Sequence, residues 1–277
     1  MTTYALQGLD LPALGLGTYR LRGDAARRAV AHALGAGYRH LDTAQLYDNE
    51  ADVGAGLRDA GVDRDAVFLT TKVWHTALRR ADVLRTTDES LARLGVDAVD
   101  LLLVHWPSAD VELAETLDAF QEVRAAGKAR LLGVSNFPAP MLRRAFRLLP
   151  DLVCDQVEYH PFLSQDTLLG VVRERTAAGA PMVLTAYSPV AQGEVLRDET
   201  MRDIADAHGA TAAQVALAWL LGQDRVVAIP RSSSAARREA NLAAARLALS
   251  GEERARIDAL PKDRRIVDPA FAPDWNA

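Results

Sequence analysis

The sequence of 277 residues predicts a (β/α)8 barrel of the TIM type, forming one domain over residues 1–277. Three observations predict it. Short apolar runs rich in Leu and Val alternate with longer amphipathic stretches along nearly the whole chain, the pattern of strand–helix units around a parallel sheet. Eight such units are present, and roughly 250 residues is the usual size of a barrel, whereas a doubly wound sheet would need fewer strands or a second domain. No Pro- or Gly-rich linker divides the chain, so one domain suffices.

The candidate strands run, in order, over 14–16, 40–42, 67–71, 99–103, 131–134, 154–157, 182–186 and 226–229. Helices fit the intervening segments 25–36, 81–94 and 111–126, where apolar residues recur at spacings of three and four. Ahead of the first barrel strand, Tyr4 to Leu11 reads as a β-hairpin turning through Gln7, Gly8, Leu9 and Asp10, positioned to close the bottom of the barrel. The closing segment from Arg265 to Asn276 contains Pro269 and Pro273 with Phe271 and Trp275. It reads as a loop folded back over the open end of the barrel.

Composition excludes several classes. A net charge of −5 disfavours contact with a phosphate backbone, so no nucleic-acid partner is expected. Cys154 is the only cysteine, which rules out an internal disulfide and suits a reducing compartment. No run approaches the roughly 20 apolar residues of a membrane span, and no leader pattern opens the chain. A cytoplasmic monomer without a membrane partner is the expectation. The six histidines, His32, His40, His75, His105, His160 and His208, are scattered without metal-ligand spacing, so no metal is expected.

Barrel chemistry sits where strands end and βα loops begin. Four reactive side chains fall there on consecutive units: Asp42 after the second strand, Tyr47 in its loop, Lys72 after the third and His105 after the fourth. A lysine ending an apolar run is desolvated, and a nearby carboxylate such as Asp42 would hold it charged. That charge is expected to lower the Tyr47 pKa toward neutrality and make the phenol a general acid. His105 can donate a hydrogen bond to a carbonyl oxygen on which negative charge develops.

The stretch Gly37-Tyr38-Arg39-His40-Leu41-Asp42-Thr43-Ala44, with Tyr47, Asn49, Glu50, Val53 and Gly54, resembles the signature of the aldo-keto reductase family. The likeness continues through Thr71-Lys72-Val73-Trp74, His105-Trp106-Pro107, Gly133 to Phe137, Gln156 to Pro161, Ala186 to Pro189 and Ile229 to Ser232. The resemblance implies reduction of small carbonyl compounds by hydride transfer, with Asp42, Tyr47, Lys72 and His105 as the catalytic tetrad. It also implies NADPH lying across the barrel mouth, because no side chain can supply hydride. Gly15 and Gly17 do not begin a dinucleotide fingerprint, since the final glycine is absent.

By the same resemblance, Ser135, Asn136 and Gln156 bond the nicotinamide amide and Tyr187 stacks on its ring. Gly17, Thr18, Tyr19, Asp42, Ser188, Pro189 and Ile229 are further cofactor contacts. Arg231, Ser232, Ser233, Arg237 and Asn241 combine cations, hydroxyls and a helix start suited to a 2′-phosphate, which favours NADPH over NADH. The expected substrate cleft is lined by Tyr19, Tyr47, Trp74, His105 and Trp106. The tail and the stretch Asp42 to Glu50 are most similar to the bacterial 2,5-diketo-D-gluconate reductases, whose relatives also reduce methylglyoxal. The rival reading is a non-catalytic NADPH-binding accessory protein on the same barrel, separated from the first by testing for turnover.

Overall fold

In the computed structural model, which describes residues 2–275, eight parallel strands form one sheet. Two short strands precede it: β1 (Thr3–Leu6) and β2 (Leu9–Pro12) pair antiparallel around a turn of Gln7 and Gly8, both at positive φ. The turn is thus two residues long, and Leu9 and Asp10, expected within it, belong to β2. Asn276, at the end of the expected closing loop, lies outside the described residues, as do Met1 and Ala277.

The sheet runs β3 (Leu16–Gly17), β4 (His40–Asp42), β5 (Phe68–Val73), β6 (Val99–Val104), β7 (Ala129–Ser135), β8 (Cys154–Glu158), β9 (Val183–Tyr187) and β10 (Val226–Ala228), each parallel to its neighbour. The two outer strands then meet. Leu14 bridges to Ala228, and the Gly15 and Gly17 amides donate to the Ala228 and Pro230 carbonyls, so the sheet closes on itself. Gly17 is required at this seam, since a Cβ there would lie 2.7 Å from the Ile229 oxygen. Strand β7 extends beyond the expected 131–134 at both ends, and β3 is shorter than expected because the seam interrupts regular pairing at Leu14.

Helices α1 (Gly23–Ala36), α2 (Glu50–Asp59), α3 (Arg80–Leu94), α4 (Leu113–Ala125), α5 (Ala139–Leu148) and α6 (Asp166–Ala177) follow the first six barrel strands in turn. After β9 come α7 (Glu199–Ala207) and α8 (Ala212–Leu221), and after β10 come α9 (Ala235–Ala243) and α10 (Gly251–Asp258). The α4 helix starts two residues later than its apolar spacing suggests, because Val111 sits in the loop ahead of it.

The period of two along each strand sorts side chains into two cores. Leu41, Leu69, Val73, Leu102, Val104, Leu132, Val134 and Val157 join the cluster under the helices. Phe68, Leu101, Leu103, Leu131, Cys154, Val183 and Val227 form a second cluster inside the barrel, together with Leu6 and Leu11 of the hairpin. Further along the same strands, the buried residues become Asp42, Lys72, Ser135 and Gln156. An apolar floor thus supports a polar layer at the C-terminal ends of the strands, where barrel sites lie.

One buried acid stands outside that layer. Asp155 on β8 is fully enclosed and neither carboxyl oxygen has a hydrogen-bond partner among the described residues. Burial therefore drives its pKa well above the ordinary carboxylate range. The folded chain holds this proton where the unfolded chain has released it, so stability falls as pH rises above the ordinary carboxylate range. Asp155→Asn is expected to raise stability at pH 8, where folding must hold a proton the unfolded carboxyl releases, and to change little at pH 4. Thermal unfolding across that range checks it, and an equal shift in Tm at both ends would refute it.

Candidate active site

Strand ends bring four of the predicted residues together. Asp42 closes β4 and Lys72 is the fifth residue of β5; both are buried, and the Lys72 ammonium donates to Asp42 Oδ1 at 2.6 Å and to the Thr43 carbonyl at 2.8 Å. Lys72 Nζ also lies 3.4 Å from the Tyr47 hydroxyl and 5.0 Å from the centre of its ring. The His105 ring stands edge-on to Tyr47 at 5.6 Å and to Trp74 at 5.0 Å.

Two side-chain amides, the buried Asn49 and the half-buried Gln45, hold the loop that carries Tyr47. Asn49 donates to the Thr18 and Leu21 carbonyls at 2.9 and 2.8 Å and accepts from the Thr43 hydroxyl. Gln45 opens the single 3-10 turn Gln45–Tyr47, donates to the Thr86 carbonyl and the Ser90 hydroxyl on α3, and accepts from the Trp74 amide. One side chain thereby ties the turn of Tyr47 to the backbone of Trp74. Beneath it, the buried Glu50 carboxylate accepts from Thr71 Oγ1 at 2.5 Å and from Arg93, bracing the residue next to Lys72.

The electrostatics correct one expectation. Burial holds the Tyr47 phenol well above its ordinary pKa, and the Asp42 charge pushes the same way. Lys72 does not outweigh these two effects in the resting site, because its ammonium is shared with Asp42 at 2.6 Å. Burial also lowers the Lys72 pKa, with Asp42 opposing. His105 is held well below the usual imidazole range by burial and by the Lys72 charge, so its ring is neutral. Its Nδ1 is enclosed without a partner among the described residues.

A polar cluster adjoins these four. Gln156 Nε2 donates to Asp42 Oδ2 at 2.7 Å, so the carboxylate is shared between Lys72 and Gln156. Asn136, at positive φ, donates to the His105 carbonyl and to Ser135 Oγ, and accepts from the Tyr187 hydroxyl at 2.8 Å. Ser188, also at positive φ, and the buried Pro189 follow Tyr187. Thr18 is buried, with its hydroxyl donating to the Asp42 carbonyl. Tyr19 is half exposed and packs 5.1 Å from Tyr47.

Around the seam, Arg231 donates from Nε to the Tyr19 carbonyl at 3.2 Å and from Nη2 to the Arg20 carbonyl at 3.3 Å, a tie its sequence position does not reveal. Ser232 bonds Ser234, which caps α9 by accepting from the Arg237 amide. Ser233 and Arg237 are exposed, while Ile229 and Asn241 are buried.

A cavity of about 340 Å³ opens beside Tyr47, lined by Tyr19, Arg20, Arg22, Leu46 and Tyr47. A larger cleft of about 500 Å³ lies among Arg58, Arg64, Leu94 and Arg130, toward the strand starts and away from the reactive groups. On the tail, Phe271 stacks on His75 at 4.1 Å and meets Trp74 and Trp106 edge-on at 5.6 and 5.5 Å. Trp275 approaches Trp106 at 5.9 Å. His75, Arg20, Arg22 and Leu46 join the mouth without having been predicted, because nothing in their spacing sets them apart from solvated loop residues. Among the described residues, no group of three or more His, Cys, Asp or Glu side chains is arranged to hold a metal, and no helix is long and apolar enough to cross a membrane.

The profile of the aldo/keto reductase family matches residues 13–262, nearly the whole barrel. The chain belongs to that family. Its relatives include methylglyoxal reductase DkgB of Escherichia coli O157:H7, 38% identical over 273 residues that cover 97% of this chain and 100% of that protein. Glyoxal reductase of Bacillus subtilis (strain 168) is 38% identical over 264 residues, covering 94% of this chain and 92% of its own length. A solved structure named provisionally as a 2,5-diketo-D-gluconic acid reductase B superimposes with a TM-score of 0.94 at 43% identity, covering 100% of this chain and 98% of that one. As an aldo/keto reductase, the protein is an oxidoreductase acting on carbonyl groups, and it is similar to enzymes named for methylglyoxal and diketogluconate reduction.

Proposed function

We propose that this chain is an NADPH-dependent reductase of small aldehydes, ketones and dicarbonyls, of the methylglyoxal or 2,5-diketo-D-gluconate type, acting as a single-domain cytoplasmic monomer. The observation that carries the reading is the position of Lys72 Nζ, 2.6 Å from Asp42 and 3.4 Å from the Tyr47 hydroxyl, with a neutral His105 edge-on to the same phenol.

The donor set fits a nicotinamide dinucleotide. Gln156 Oε1 makes no bond among the described residues, and Asn136 Oδ1 uses one of its two lone pairs, so both can accept from a carboxamide. Arg231, Ser232, Ser233 and Arg237 gather cations and hydroxyls at the start of α9, where helix amides favour phosphate. The bound cofactor supplies hydride to the carbonyl carbon.

His105 donates a hydrogen bond to the carbonyl oxygen, stabilising charge as it develops. Tyr47 then transfers its phenolic proton to that oxygen, completing the alcohol. A raised phenol pKa keeps this acid loaded at neutral pH. The Lys72 ammonium, anchored by Asp42 and 3.4 Å from the Tyr47 oxygen, stabilises the negative charge left there until the phenol is reprotonated. Phe271 packs on Trp74 and Trp106, forming an aromatic wall beside the reacting groups.

A panel of methylglyoxal, glyoxal, keto-sugar acids and aromatic aldehydes, followed by NADPH absorbance, tests the reading; tight NADPH binding without turnover of any would support an accessory role instead. NADPH is expected to exceed NADH in kcat/KM by roughly 10- to 100-fold, from charged hydrogen bonds worth about 1.5–3 kcal/mol. Equal or better kcat/KM with NADH would refute the assignment of the Arg231 and Arg237 end to a 2′-phosphate.

A further inference from the structure

We propose that Glu158 is a positioning residue for substrate selection, its buried carboxylate fixing the C-terminal segment whose Phe271 and Trp275 roof the mouth. The proposal rests on reading the mouth around Tyr47 as the site of carbonyl reduction.

Glu158 ends β8 and is fully buried. A carboxylate enclosed this far survives only when its oxygens are supplied with donors. Three are supplied. Oε1 accepts from the Ile266 amide and Oε2 from the Val267 amide, both at 2.8 Å, so two successive backbone N–H groups of the tail grip one side chain. His160 supplies the third. The Phe162 amide donates to His160 Nδ1, which leaves Nε2 carrying the hydrogen that Glu158 Oε1 accepts at 2.8 Å.

None of these donors belongs to the reacting groups. Two residues earlier on the same strand, Gln156 reaches the Asp42 carboxylate. Alternate side chains of β8 thus serve the tetrad and the tail, and the strand sets the register of one against the other.

Beyond the latch, the tail is held by its own contacts and by apolar ones to the barrel, with Ile266 against the helix-side core and Trp275 5.9 Å from Trp106. The Arg265 guanidinium lies 3.7 Å from the Trp275 ring centre, and Trp275 Nε1 donates to Asp268 at 2.9 Å. The tail's polar ties to the barrel lie just before it: Lys262 donates to the Pro161 carbonyl and accepts from the Ser164 amide, Asp263 bridges to Leu163, and Arg264 donates to the Phe162 carbonyl and pairs with Glu194. The aromatic contacts of Phe271 are half exposed, at 41% of its surface, and weak as anchors. Glu158 therefore decides whether Phe271 is presented to Trp74, His75 and Trp106 in one position or many.

The test compares Glu158→Gln with the wild-type holoenzyme on methylglyoxal and on 4-nitrobenzaldehyde. Gln keeps the shape but turns a donor toward the tail amides. The expected result is a loss of roughly tenfold in kcat/KM for methylglyoxal, carried by KM, with a much smaller loss for the aromatic aldehyde. NADPH affinity stays unchanged, and trypsin cuts after Arg264 or Arg265 faster than in the wild type. Phe271→Ala, which leaves the buried carboxylate untouched, is expected to give the same change in selectivity, and the double variant is expected to add nothing further. A folded Glu158→Gln enzyme with unchanged selectivity, or strictly additive effects in the pair, overturns the latch. A wild-type protein inactive on every carbonyl overturns the reading of the site, and the selection role with it.

Discussion

Tyr47→Phe is expected to lower kcat for carbonyl reduction by roughly 10²- to 10⁴-fold, the usual worth of a positioned general acid, while leaving NADPH affinity intact. The ring keeps its packing against Tyr19 at 5.1 Å and His105 at 5.6 Å, so the substitution removes a proton and little else. Residual turnover would come from His105 and from orientation of the bound partners. Because the phenol is raised well above 10.0 and His105 is lowered well below 6.5, neither group changes charge near neutrality. The wild-type kcat for reduction should accordingly be level from roughly pH 7 to 9. Steady-state rates over that range, with cofactor affinity from fluorescence titration, check both parts. A phenylalanine variant with nearly full rate removes Tyr47 from the mechanism, and a kcat that falls through a pKa near 8 shows that Lys72 acidifies the phenol after all.

Lys72→Met should cost about 3–5 kcal/mol of stability, because it leaves a buried carboxylate whose cation is gone. Asp42 Oδ1 loses its 2.6 Å partner, and the Gln156 amide on Oδ2 cannot neutralise the charge. Activity should vanish with it, since no cation remains beside the phenolate. Adding Asp42→Asn to Lys72→Met removes the stranded charge and is expected to recover much of the stability without recovering turnover. Chemical unfolding and a turnover assay on the same preparations separate the two effects. Additive destabilisation in the double variant would mean that the pair contributes as independent packing.

The barrel was legible because apolar strand runs and amphipathic helices repeat with two distinct periods, and the period of two sorts Leu69 from Thr70 without further help. Asp42, Lys72 and His105 were legible for a related reason, since each interrupts an apolar run at the end that a barrel opens. What eluded the sequence depends on pairing across the fold. The Tyr47 pKa turns on whether Lys72 is already matched by Asp42, a distance that spacing does not encode. Gln45, which ties the Tyr47 turn to Trp74, and Glu158, which grips Ile266 and Val267, act on partners in other elements. Neither carries a periodic signal. Arg231 illustrates the same limit, since a cation suited to phosphate also suits the carbonyls of Tyr19 and Arg20.

The seam between Leu14 and Ala228 carries a consequence for how the chain reaches this shape. Strands from opposite ends of the polypeptide must find each other before the ring is complete, and bringing such distant segments together is entropically slow. The ring is therefore expected to close only after β10 has been synthesised, with any sheet formed before it left with an unpaired border. An edge left unpaired in that interval invites pairing with another chain, and one three-residue strand removes it.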